Sequence, residues 1–200
     1  MISLIFRPCD YLRITWVSGS SSKKAFDWGY PTLGAVLVTA LMVYLAANFV
    51  VTPCAPSDVE CKQINPAIFF NSNAFGLVTG FLQTMPGFFV AALAAIATFN
   101  NPAMDSAMLG NPPRDANNNA MTRRRFLSQA FAYLTFLSLC LFFVTTMIKF
   151  GYEVGLMPVG DFVFYGAYGV AVFLITLFLI QMLFITFMCL YYLGDRIHTP

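Results

Sequence analysis

Four stretches of the chain contain no charged residue, and each is long enough to cross a membrane. They are residues 31–52, 63–104, 126–148 and 162–194. A helix needs about 20 apolar residues to cross a hydrocarbon core of about 30 Å, and lipid offers backbone groups no hydrogen-bond partners. The stretches also lack the two-residue alternation of barrel strands. We therefore predict an all-α integral membrane protein with four transmembrane helices.

The overall composition agrees with this class. The chain is 58% hydrophobic and 10% charged, whereas soluble domains are about 25% charged. Its polar stretches are too short to bury a core of their own, so residues 1–200 are predicted to form a single domain. Residues 1–30 contain Arg7, Asp10 and Arg13 among their apolar residues. They therefore lack the apolar core of a signal peptide and are predicted to be a cytoplasmic or interfacial segment.

The basic residues are distributed unevenly between the loops. Nine of the eleven lysines and arginines lie in residues 1–30, in residues 99–125 or in the C-terminal tail, while the other two loops hold only Lys62 and Lys149. Cytoplasmic loops carry the excess of basic residues. We therefore expect both termini and the loop 99–125 to lie in the cytoplasm.

The second stretch is too long for one helix and contains Pro86. We predict an external or re-entrant piece near residues 66–73, followed by a helix from about Ala74 to Phe99 that is kinked near Pro86, because proline removes a donor and clashes with the preceding turn. The segment "AALAAIA" at residues 91–97 and the pair Gly166 and Gly169 offer small-residue faces. Such faces pack helices closely within one chain or between copies, so a homo-oligomer is expected.

Three consecutive arginines, Arg123, Arg124 and Arg125, stand directly before the third stretch. Twin-arginine export signals are N-terminal, and nucleic-acid binding needs a broader basic surface, so direct nucleic-acid contact is not expected. Arginines at this position are typical of topology signals that also contact anionic lipid headgroups. Thr122 is predicted to cap the helix that follows.

The four stretches hold few polar residues. Proton-coupled pumps rely on charge inside the membrane, so ion-coupled transport is not expected. Gln181 lies near the middle of its stretch, where it either bonds to another helix or lines a pore. The remaining classes are a membrane protein that senses or scaffolds and, as the alternative, a small passive channel or facilitator. Its lining would come from Asn48, Gln83, Thr84 and Gln181.

The sequence offers little for catalysis. The only histidine, His198, has no neighbouring ligand pair, so neither a metal site nor a triad is expected, and a membrane enzyme is the least favoured class. No cofactor is predicted. Cys54 and Cys61 fall in one loop assigned to the oxidising side, where a disulfide could form.

The loop 99–125 is longer than a connection needs. Long loops on rigid scaffolds often carry function, so the loop is either a docking site for a soluble partner or a flexible connector. The candidate docking residues are Asn111, Arg114, Asp115 and Asn117.

Three segments together resemble a known family. They are "PGFFVAALAAIATFNNPAMD", "MTRRRFLSQAFAYLTFLSL" and the closing "YYLGDRIH". The chain from about Pro31 onward resembles the KwaA family, the four-span membrane subunits of the Kiwa anti-phage defence system of bacteria. The resemblance implies a homo-oligomeric sensor in the bacterial inner membrane that works with a soluble DNA-binding partner, KwaB, in the cytoplasm. A tetramer is the expected oligomer. It carries no catalytic motif, and residues 1–30 have no counterpart in it.

Overall fold

The structure is a computed structural model, and it describes residues 6–16, 20–48, 68–98, 102–106, 113–115, 118–154 and 162–194. Four long helices dominate this part of the chain. We number them α1, which begins at Ser20 and ends at Asn48, α2 (Asn73–Thr98), α3 (Arg123–Glu153) and α4 (Phe162–Gly194). Short helical turns cover Arg7–Arg13, Phe69–Asn71 and Pro102–Asp105. The described residues contain no strand beyond isolated bridges, so the all-α prediction is confirmed.

All four helices are long and apolar enough to span a membrane. Their candidate spans are Ser22–Asn48, Asn73–Thr98, Arg123–Glu153 and Tyr165–Leu193. At 1.5 Å per residue, even the shortest is about 39 Å long, which exceeds the hydrocarbon core. Large apolar side chains such as Leu77 and Phe88 are exposed along these helices, as expected of surfaces that face lipid.

The first helix begins earlier than the charge-free stretch that predicted it. Ser20–Lys24 is α-helical, Ala25–Gly29 forms a π-helical turn, and Tyr30–Asn48 continues as α-helix. Three charged residues, Lys23, Lys24 and Asp27, therefore lie within the candidate span of α1. A boundary drawn at the nearest charge misses this part of the helix.

The second helix closely matches its predicted bounds. It begins one residue before Ala74, ends one residue before Phe99 and continues through Pro86. A single 3₁₀ turn at Phe69–Asn71 precedes it. Its buried positions are seven residues apart, at Phe75, Leu82, Phe89 and Ile96. That spacing places them on one face of the helix.

The helices pack mainly in pairs, α2 with α3 and α1 with α4, and α3 joins the two pairs through α4. The larger core lies between α2, α3, α4 and the N-terminal turn, and it includes Tyr11, Phe126 and Met182. A smaller core surrounds Phe70 and Tyr168. The turn Arg7–Arg13 packs along α3, so this turn belongs to the bundle.

Close approach of α1 and α4 depends on glycine. A Cβ atom added at Gly34 would lie 2.9 Å from the Cδ1 atom of Ile180, and one at Gly169 would lie 3.4 Å from the Cγ2 atom of Val43. Gly169 therefore lies at the α1–α4 contact, where a Cβ would be at ordinary van der Waals distance, so a need for a small residue there stays a prediction. A Cβ at Gly166 would meet nothing within 4 Å among the described residues, so a packing role for Gly166 stays a prediction about contacts between copies.

The start of α3 has the predicted cap. The Thr122 hydroxyl accepts a hydrogen bond from the Arg125 backbone N–H at 3.3 Å. The positive end of the helix dipole lies here, where arginines are unfavourable. Carboxylates offset them: Asp105 pairs with Arg124 at 3.0 Å, and Asp115 pairs with Arg125 at 3.3 Å.

Candidate functional site

The π-helical turn of α1 presents a backbone carbonyl to another helix. Such turns widen the helix by one residue and are frequent at functional sites. Here the Tyr30 N–H bonds back to the Ala25 carbonyl. The carbonyl of Asp27 accepts a hydrogen bond from the Gln181 side-chain nitrogen Nε2 at 3.0 Å. The turn thus links α1 to α4.

A buried ion pair lies in the same part of α1. The Lys23 Nζ atom is 2.5 Å from Asp27 Oδ2, and both side chains are 4% exposed. Lys23 also donates to the Tyr11 backbone carbonyl at 3.4 Å and lies 4.8 Å from the centre of the Tyr11 ring. The second carboxylate oxygen, Asp27 Oδ1, has no hydrogen-bond partner in the described part of the protein. Ionisable residues inside membrane spans commonly mark functional sites.

Gln181 connects three helices. Its Oε1 atom accepts a hydrogen bond from the Tyr133 hydroxyl at 3.1 Å, while its Nε2 atom bonds to Asp27 as described. Gln181 is 1% exposed, so both ends of the amide are satisfied inside the bundle. Gln181 therefore has the interhelical role that was one of its two predicted roles, and its hydrogen bonds join α1, α3 and α4.

Tyr11 covers this network from the N-terminal segment. Its ring stacks on Tyr133 with centroids 5.4 Å apart, and its hydroxyl lies 4.0 Å from the sulfur of Met188. Burial raises the pKa of the Tyr11 phenol well above its ordinary value, and the nearby Asp27 carboxylate raises that pKa further. The phenol therefore stays neutral at physiological pH. We call Tyr11, Lys23, Asp27, Tyr133 and Gln181 the polar network.

Lys23 lies in the first turn of α1, whereas Tyr133 and Gln181 lie well inside their helices. Tyr133 comes ten residues after the start of α3 at Arg123, which is about 15 Å along the helix. Gln181 comes thirteen residues before the end of α4 at Gly194, which is about 20 Å. We call the end formed by residues 6–16, the start of α1, and residues 102–106, 113–115 and 118–125 the basic end, since most of the described lysines and arginines lie there.

The surface segments of the basic end are bonded to one another. Thr15 and Arg114 exchange both backbone hydrogen bonds, at 3.0 and 2.9 Å, and Arg114 also forms a bridge with Ala120. Asn118, with φ 65°, turns the chain in the left-handed region, which asparagine tolerates better than most residues. We call residues 113–115 and 118–122 together with Thr15 the surface platform.

Asp115 and Arg114, two predicted docking residues, have structural contacts in the platform. The Asp115 carboxylate accepts from the Asn119 N–H at 2.9 Å and pairs with Arg125. The Arg114 guanidinium donates to the Asn118 side chain at 3.1 Å. Asn111 and Asn117 lie outside the described residues, as do Cys54 and Cys61, so their docking and disulfide assignments stay predictions.

The residues proposed to line a channel do not converge within the described chain. Asn48 and Gln83 are exposed, Asn48 bonds to the Tyr44 carbonyl at the far end of α1, and Thr84 bonds to the Phe81 carbonyl. Gln181 is buried in the polar network. This arrangement gives the channel alternative no geometric support.

Sequence reasoning missed the ion pair because it searched only the charge-free stretches. Those stretches are free of charge, but α1 extends beyond the first of them to include Lys23 and Asp27. The absence of intramembrane charge, from which ion-coupled transport was not expected, therefore does not hold at Lys23 and Asp27. The four-residue spacing of Lys23 and Asp27 was an available signal, because such residues face each other on a helix.

Among the residues that the structure describes, no three His, Cys, Asp or Glu side chains lie together as a metal-binding group. Comparisons with known protein families, with curated proteins and with solved structures found no match. The function is therefore inferred from the residues and their contacts.

Proposed function

We propose that this chain is a membrane-embedded sensor or scaffold subunit of a bacterial anti-phage defence complex. It signals to a soluble cytoplasmic partner that binds DNA, and it works as a homo-oligomer in the inner membrane. Both termini and the loop 99–125 face the cytoplasm, and α2 bends near Pro86. The resemblance to the KwaA family motivates the defence role, and the uneven distribution of basic residues supports the orientation.

One observation carries the sensor role: the N-terminal segment belongs both to the surface platform and to the polar network. Thr15 bonds to Arg114 on the surface, and Tyr11, only four residues away, stacks on Tyr133 inside the bundle. A partner that moves the platform therefore moves Tyr11, which stacks on Tyr133, and Tyr133 is bonded to Gln181, the residue that connects three helices. Conversely, a change in helix packing reaches the surface through the same short segment.

The network suits a switch because its contacts are few and discrete. Breaking the Gln181 contacts leaves a buried hydroxyl and a buried carbonyl without partners, which is costly. A small energetic bias between two arrangements is enough to shift their populations. The network can thus convert a change in the bilayer into a change at the basic end.

A phage challenge tests the proposal. The chain is expressed with its flanking genes, with the adjacent gene product tagged, and protection is measured as the drop in plating efficiency. Asp115→Ala removes the platform contacts to Asn119 and Arg125, so we expect loss of partner co-purification and of protection. Gln181→Leu leaves the platform intact, so we expect the partner to be retained while protection is lost.

Two controls make this test specific. Gln83→Leu changes the same side chain at an exposed position, and Glu153→Gln changes a carboxylate near the other end of α3. Both should protect as well as the wild type, at equal membrane abundance. Absence of protection by the wild type with its flanking genes would refute the defence role. Full protection by both test variants would refute coupling through the network.

A further inference from the structure

A charged cavity opens beside the polar network. It has a volume of about 400 Å³, and its lining includes Arg13, Lys23, Lys24 and Asp27. Three cations thus face one carboxylate. Lys23 is already bonded to Asp27 and to the Tyr11 carbonyl, so Arg13 and Lys24 are the cations that remain for a ligand. The Arg13 side chain is 74% exposed, and its guanidinium lies 3.5 Å from the Asp10 carboxylate. The cavity therefore favours an anion.

A second cavity adjoins it and is almost entirely apolar. It has a volume of about 430 Å³ and lies between the N-terminal turn, α1, α3 and α4, with Cys9, Tyr133, Val144 and Leu174 in its lining. The hydroxyl of Tyr133 bonds to Gln181, so this side chain offers its ring. Val144 and Leu174 are 46% and 45% exposed, so the cavity opens on the outer surface of the bundle.

The two cavities are adjacent. Leu12 and Trp28 line both of them, and tryptophan is enriched where membrane meets water. Along α3 the apolar cavity extends from Tyr133 to Val144, eleven residues or about 16 Å. That length is about half of the about 30 Å hydrocarbon core, which is the depth of one leaflet.

We infer that these cavities form a binding site for one phospholipid with an anionic headgroup. The phosphate lies between Arg13 and Lys24, and an acyl chain runs past Leu12 and Trp28 toward Val144 and Leu174. A free anion would leave the apolar cavity unfilled, and an apolar helix from a second copy would leave the cations unmatched. A phospholipid satisfies both cavities, and it would bring the bilayer into contact with the residues that flank the polar network.

Lipid-dependent stabilisation of the purified full-length chain tests the site. Phosphatidylglycerol and phosphatidylcholine with identical acyl chains are titrated in mixed micelles, and the midpoint of thermal unfolding is followed. We expect phosphatidylglycerol to raise it at lower mole fraction than phosphatidylcholine. Equal effects of the two lipids would overturn the inference. Equal stabilisation by inorganic phosphate without lipid would also overturn it, because the site would then bind the anion alone.

Matched variants test each cavity separately. Arg13→Gln with Lys24→Gln removes two charges beside the phosphate, which predicts about thirtyfold weaker binding of phosphatidylglycerol. Arg7→Gln, in the same N-terminal turn but outside the lining, should bind as the wild type does. Leu174→Trp fills the apolar cavity and should also weaken binding, whereas Val170→Trp, one helical turn away and exposed, should not.

Two results would contradict this assignment. Unchanged affinity of the double variant would remove the headgroup site, and unchanged affinity of Leu174→Trp would remove the acyl-chain site. Arg13 and Lys24 are exposed, so the lipid-free unfolding midpoint should not change with their substitution. The comparison of the two lipids on the wild-type protein needs no variant, so it tests the inference even where a substitution alters folding.

Discussion

Lys23 and Asp27 are the most deeply buried charged side chains in the described part of the chain. Taking two charges out of water is costly, and their attraction offsets that cost only with good geometry and further hydrogen bonds. Here Lys23 has a second acceptor in the Tyr11 carbonyl and lies over its ring. The pair is therefore a point where a single substitution has a large effect, although the pair itself need not add stability.

Removing one partner should be much worse than removing both. Asp27→Leu leaves the Lys23 ammonium buried without its counter-ion, so we expect the free energy of unfolding to fall by about 3–5 kcal/mol. Lys23→Met with Asp27→Leu should recover most of that loss. The measurement is unfolding in mixed micelles of increasing SDS content, followed by circular dichroism.

The exposed pair Lys149–Glu153 provides the control for the single and double variants of Lys23 and Asp27. Its atoms lie 3.9 Å apart with side chains 44% and 63% exposed, so Glu153→Gln should change the free energy of unfolding by no more than about 1 kcal/mol. A double variant as unstable as Asp27→Leu would contradict the prediction, because the loss would then come from packing rather than from an unpaired charge.

At the scale of helices, the sequence predicts elements better than it predicts their partners. The asparagine, glycine and proline residues that interrupt the second stretch placed α2 within one residue at each end, and a single threonine located the start of α3. The bonds of Gln181 to Tyr133 and Asp27 could not be read from the sequence, because they join residues 48 and 154 positions apart. The contact of the N-terminal turn with α3 also joins residues far apart in the sequence, so it was not predicted. The polar residues in residues 1–30 indicated an interfacial segment instead.

Glycine at the α1–α4 contact gives a test of helix packing. Gly34→Ile places a branched side chain where a Cβ atom alone would lie 2.9 Å from Ile180. Overpacking of this kind typically costs about 1–3 kcal/mol, so the free energy of unfolding should fall by that amount. Gly166→Ile introduces the same side chain on α4, where a Cβ would meet nothing within 4 Å, and it should not destabilise the monomer. Equal losses in the two variants would contradict the prediction, because the loss would then not come from close approach at Gly34, and isoleucine has a higher helix propensity than glycine.

At the scale of the whole molecule, the fold separates the charged residues by end. The N-terminal turn packs on α3, and Thr15 bonds to Arg114 of the surface platform. Two arginines of α3 pair with Asp105 and Asp115. Lys149 lies near the opposite end of α3. Because basic residues favour the cytoplasmic side, this separation supports the proposed orientation. In that orientation, the inferred lipid site is on the cytoplasmic side of the bundle.

Labelling of single cysteines from outside the cell tests this orientation. In a background without the native cysteines, Ala120→Cys reports on the surface platform and Glu153→Cys on the opposite end of α3, and both positions are exposed. A membrane-impermeant maleimide should label Glu153→Cys in intact cells with a permeabilised outer membrane, and Ala120→Cys only after lysis. Labelling of both variants in lysed cells shows that each thiol is reactive. The opposite pattern would place the surface platform outside the cytoplasm, where no cytoplasmic partner could dock on it, and would contradict both the orientation and the sensor role.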